Sequence, residues 1–107
     1  MYIFVVSLHN IRKKTTGETR MKITDIKIRR LYDHEKMKAV CSVTFDGELV
    51  VHDIKIIEND GKTFVAMPSR RSREGVFSDI VHPINTELRN YLEDEVLTEY
   101  RSLLSVT

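Results

Sequence analysis

Cysteine is almost absent from this chain: Cys41 stands alone among 107 residues. A single thiol excludes an internal disulfide and any cysteine-based zinc site, and it suits a reducing cytoplasm. Long apolar runs are missing as well. Residues 2–8 (YIFVVSL) form an apolar piece far too short to span a bilayer. A secretory signal would carry its basic residues before such a piece, and here they follow it. His9, His34, His52 and His82 are dispersed without metal-ligand spacing. No glycine-rich phosphate loop, nucleophile motif or cofactor fingerprint occurs. The expectation is therefore a cytoplasmic protein with no catalytic residue, cofactor, metal, small-molecule substrate or membrane association. A net charge of +1 excludes a bulk polycation. Repeats, low-complexity stretches and linkers are also lacking, so the chain reads as one domain with one modest core, which dimerisation would enlarge.

What is present alternates. Residues 23–30 read as a strand, with Ile26 and Ile28 on one face and Lys27 and Arg29 on the other. Over 37–45, Met37, Ala39, Cys41, Val43 and Phe45 face one way and Lys38, Val40, Ser42 and Thr44 the other. Asp46-Gly47 is a strong hairpin signal, which makes 48–57 the returning strand. That strand is partly apolar on both faces, so it is expected to be central and covered on both sides. Asn59-Asp60-Gly61 turns the chain again. Residues 62–67 form a further strand, ended by Pro68, and 76–77 a short one. A helix begins at Asn85 or Thr86, with Leu88, Tyr91, Leu92, Val96, Tyr100, Leu103 and Leu104 as its apolar stripe and Glu93, Asp94 and Glu99 mostly on the wet side. The fold class is α+β: an antiparallel sheet of about five strands with one long C-terminal helix packed on it. One helix cannot cover both faces, so the uncovered face or a free edge suits a second subunit.

The densest chemistry lies in 64–85, FVAMPSRRSREGVFSDIVHPIN. Arg70, Arg71 and Arg73 fall within four positions after Pro68, and Gly75 turns the chain back. Between Lys62 and Arg73 there is no acid, whereas 85–107 carries five carboxylates against Arg89 and Arg101. A planar guanidinium fork suits phosphate oxygens and base edges. The leading reading is a hairpin whose tip binds nucleic acid through Arg70, Arg71 and Arg73, helped by Ser69 and Lys62. The arginines clamp phosphates, and at least one is able to read a guanine edge in a major groove that a two-stranded ribbon fits. The competing reading is a charged tip that serves only solubility. One short basic loop makes few phosphate contacts, so two copies in a dimer would bind far better.

These blocks, with MKITDIKIRR (21–30), MKAVCSVTFDGELVVHDIKII (37–57) and LTEYR (97–101), resemble the SpoVG family, the stage V sporulation G or septation proteins of bacteria. The resemblance covers about residues 21–105. It implies a small homodimeric DNA-binding regulator of gene expression, linked to cell septation, cell division and sporulation-type programmes. Where that family usually reads Ser-Lys-Arg-Thr-Pro-Asp-Gly, this chain has Ser69-Arg70-Arg71-Ser72-Arg73-Glu74-Gly75, a more basic and less rigid loop. Residues 21–107 are then a single SpoVG-like domain. Residues 1–20 are an extension, read as a mis-called translation start or a lineage-specific addition. Their alternatives are an added edge strand at 2–8 and a basic arm at Arg12, Lys13 and Lys14. Two other function classes remain open: an RNA-binding regulator, and a non-enzymatic interaction module of the division machinery that docks an acidic partner on its arginines.

Other groupings carry blander readings. Lys22, Lys27, Arg29, Arg30, Lys36 and Lys38 are what an exposed strand face normally holds. His52 and Asp53 are neighbours on a strand and point to opposite faces, so they form no dyad, and a structural hydrogen bond across strands is expected. Asp79 and His82 are read as satisfying local backbone donors. Cys41 is read as a small core residue.

Overall fold

A computed structural model of the chain describes residues 21–33 and 35–105. The expectations for the strand at 2–8, for the arm at 12–14 and for His34 fall outside them. Four strands form an antiparallel meander in sequence order: β1 (Ile23–Leu31), β2 (Met37–Phe45), β3 (Leu49–Asn59) and β4 (Lys62–Ala66). A separate two-stranded ribbon follows, β5 (Ser69–Arg71) with β6 (Phe77–Asp79), and then one helix, α1 (Thr86–Ser105).

Two turns set the register of the sheet. Asp46 and Gly47 take φ of 55° and 64°, and Asp60 and Gly61 take 53° and 80°. Paired positive φ values suit hairpin ends whose twist matches flanking strands; two residues separate the partners Asn59 and Lys62, and three separate Phe45 and Leu49. The first turn is also tied to β1: Asp46 N donates to the Lys22 carbonyl at 2.7 Å, and Gly47 N to Thr24 Oγ1 at 2.9 Å.

Ala39, Cys41, Val43 and Phe45 are all buried, as their alternation on β2 requires. The helix lays Leu92, Val96 and Leu97 on this same face, with Leu88 and Tyr100 at its margins. Asn85 caps it, its Oδ1 accepting from Leu88 N at 2.7 Å. Leu104, placed on the apolar stripe by the spacing, is exposed, and Leu97 takes a buried place instead.

The expectation for β3 needs correction. It is central, but α1 covers only one of its faces. A bulge at His52-Asp53, with Asp53 at φ 63°, puts Val51 opposite Val43 and Ile54 opposite Cys41. One extra residue reverses the side-chain alternation. Leu49, Val51, Ile54 and Ile56 therefore share the helix side, and only Val50 and Ile57 turn away. The apparent two-faced pattern is mostly one face read across a bulge.

Glu93 also departs from expectation. It is half-buried rather than on the wet side, and its carboxylate accepts from Val65 N on the edge strand β4 at 3.2 Å. At the other edge Ile23 N donates to Tyr91 Oη at 3.0 Å. One helix thus occupies a backbone donor on each edge strand, which blunts both edges against further pairing.

Candidate nucleic-acid interface

The ribbon hangs from a firm base. Met67 and Pro68 are buried where β4 ends, and Ile80 N donates to the Pro68 carbonyl at 2.8 Å. Beyond that base every residue from Arg70 to Ile80 is exposed except Gly75, which is half-buried. The pairs are Ser69 with Asp79, Arg70 with Ser78 and Arg71 with Phe77. Ser72 closes the end loop. Its N donates to the Val76 carbonyl at 2.8 Å, its carbonyl accepts from Gly75 N at 3.0 Å, and its Oγ accepts from Val76 N at 3.1 Å. Gly75 sits at φ 85°, and a Cβ there would lie 3.4 Å from the Arg71 guanidinium. A short loop with glycine in the left-handed region is a standard hairpin end.

This geometry redistributes the arginines. The sequence suggests all three in a loop. Arg70 and Arg71 instead lie in a paired strand, so their side chains leave opposite faces of the ribbon. Arg73 alone occupies the end loop. The three charges surround the ribbon rather than forming one patch. None of them is ion-paired to a carboxylate among the described residues, and Arg70, Arg71 and Arg73 are all exposed. Ser69 is half-buried at the ribbon base. Lys62 lies at the β3–β4 turn, paired with Asn59, at the far end of β4. An extended strand puts it roughly 15–20 Å from Pro68, so it is not gathered with the arginines.

Phe77 reads in the sequence only as part of a short strand. In the structure the residue is 67% exposed, and the Arg71 guanidinium lies over its ring, 5.8 Å from the centroid. Exposure of an apolar ring depends on long-range packing, so no local signal marks it. Three-residue strands are also too short to display a period.

The other groupings separate from the ribbon. Lys27 pairs with Asp25 on its own strand at 3.7 Å, both largely exposed. His52 Nδ1 is hydrogen-bonded to Ser42 Oγ across strands at 2.8 Å, and Ser42 is buried. His82 Nδ1 meets the Pro83 carbonyl at 2.9 Å. No group of three potential metal ligands occurs among the described residues, and no helix there is long and apolar enough to cross a membrane.

The SpoVG family model matches residues 21–102. The chain is 59% identical over 80 residues to a protein of Caldanaerobacter subterraneus subsp. tengcongensis named "Putative septation protein SpoVG", a match covering 75% of this chain and 88% of that one. Its counterpart of the same name in Clostridioides difficile is 55% identical over 84 residues, covering 78% and 91%. One from Clostridium acetobutylicum is 52% identical over 83 residues, covering 78% and 87%.

Proposed function

The chain belongs to the SpoVG family, and from that membership we propose that it is a homodimeric, non-enzymatic DNA-binding regulator of bacterial septation and of sporulation-type gene expression. The septation part rests on the names of its relatives. The DNA-binding part rests on one observation: an exposed, protruding two-stranded ribbon carrying Arg70, Arg71 and Arg73 free of carboxylate partners among the described residues. Cations left unpaired on a protrusion suit a polyanion, and a ribbon with charge on both faces and its end meets phosphates on either side of a groove. The main-chain anchoring at Pro68 and Ser72 fixes the backbone that carries those charges before binding, which lowers the ordering cost.

The homodimer reading draws on the helix-free face of the sheet. In register there, Met37, Ile57 and Phe64 lie side by side across β2, β3 and β4, with Val50 further along. Phe64 and Val50 are exposed large apolar residues in the single chain. A second copy on this face would cover them and bring two ribbons to one DNA.

The test is the variant R70A/R71A/R73A, titrated against labelled duplex DNA at fixed salt. A fall in affinity of about tenfold or more, with the circular-dichroism spectrum of the native fold, is the expected result. Undiminished affinity in a folded variant would refute the assignment.

A further inference from the structure

Phe77 is exposed in the single chain, as are its neighbours Val76 and Ile80. The residue is 67% exposed, it is outside the core cluster, and the ribbon that carries it forms a sheet separate from the main one. The ribbon register sets it directly across from Arg71. The guanidinium lies over the ring, 5.8 Å from its centroid, a cation–π arrangement that still leaves the residue as a whole 67% exposed. On this ribbon face, Asp79 lies two residues toward the base and Arg73 lies in the end loop. An anionic backbone meets Arg71 and Arg73 toward the end of the ribbon, where Glu74 also lies, and the carboxylate of Asp79 at its root. An open aromatic face bordered by arginines is the combination that proteins use to hold unpaired bases: the ring stacks on the base and the cations track the phosphates.

We propose that Phe77, backed by Arg71, is a base-stacking platform, and that the ribbon binds single-stranded nucleic acid more tightly than fully paired duplex of the same sequence. This rests on the reading of the ribbon as a nucleic-acid interface. Duplex still binds through its phosphates, but its bases are stacked on one another and offer the ring no free face. An unpaired base adds an interaction that is insensitive to salt, so it separates cleanly from the arginine contribution.

The experiment uses the full chain with Phe77→Leu, Phe77→Tyr and Phe77→Trp. Leucine keeps an apolar side chain and removes the π face; tyrosine keeps both. Each is titrated by anisotropy against a labelled single-stranded DNA oligomer, the RNA oligomer of the same sequence, and the DNA duplex. The expected result is that wild type prefers the single strands. F77L should bind them about tenfold or more weakly with its salt slope unchanged, and change little on duplex, whereas F77Y holds wild-type affinity. The two single-stranded arms distinguish DNA from RNA as the source of the base. The chain contains no tryptophan, so F77W supplies a sole indole reporter, whose emission should be quenched on single-strand binding. Wild-type single-strand affinity in F77L, or no change in F77W emission while the oligomer binds, would overturn the platform and leave the arginine interface standing. Dissociation of an F77L dimer would overturn it too, by assigning the ring to a subunit contact. If wild type binds no oligomer, or R70A/R71A/R73A binds as wild type does, both readings fall together.

Discussion

At the scale of single residues, the interior of the sheet holds two polar groups whose roles follow from their surroundings. Cys41 is fully buried, and burial pushes its thiol from 9.0 up to about 11. The unfolded chain therefore releases this proton first as pH rises. Between about pH 9 and 11 the folded state holds more protons than the unfolded one, so the contribution of Cys41 to stability falls with rising pH. Below about pH 9 it is fully present. Denaturant unfolding at about pH 8 and about pH 10.5, compared for wild type and Cys41→Ala, should show the wild type losing more stability across that interval. Ser42 is the second group. Its hydroxyl is removed from water beside the bulge and has His52 as its partner. Ser42→Ala should cost about 1 kcal/mol and lower Tm by about 4 °C or more, with the effect largely absent in a His52→Ala background. An unaltered Tm in S42A would mean that this hydrogen bond carries no net stability.

At the scale of elements, local chemistry and long-range register divide what the sequence reveals. The turns at Asp46-Gly47 and Asp60-Gly61 are legible because only a few residue types accept positive φ there. Strand β2 is legible from Ala39 to Phe45, which display the period of two, whereas Met37, expected on their face, is turned to the other by a register shift that pairs it with Ile57. The helix is legible from its apolar spacing and from Asn85 as its cap. The bulge at Asp53 is not, because it is defined against the partner strand and leaves no mark in composition. Glu93 hides for the same reason: its place on α1 says solvent, and the free donor of β4 draws it inward. Within the ribbon, the concentration of arginine is legible, but its division between two faces is not, because that depends on the pairing of Arg71 with Phe77. Glu93→Ala should leave Val65 N without its acceptor at a partly buried edge, at a cost of about 1 kcal/mol in urea unfolding. Glu93→Gln keeps an acceptor oxygen and should recover most of that stability.

At the scale of the whole molecule, charge and shape divide the labour. The ribbon concentrates three arginines, with Glu74 and Asp79 beside them, the helix is acidic, and the net charge is near neutral, so the proposed attraction for a polyanion is local rather than a property of the whole surface. In the proposed reading two ribbons bind far better than one, which links the DNA proposal to the apolar sheet face. Phe64→Glu places a charge in that face and should convert a dimer to monomer in sedimentation equilibrium, with a matching fall in DNA affinity. A variant that stays dimeric would move the subunit contact elsewhere. The central claim, that these arginines meet phosphates, is tested most directly by the salt dependence of duplex binding. Anisotropy titrations of wild type and R70A/R71A/R73A across several salt concentrations give the slope of log K against log salt for each. The account predicts a steep negative slope for wild type, flattened in the variant by about one for each phosphate that the arginines no longer neutralise. Equal slopes for the two proteins would contradict it.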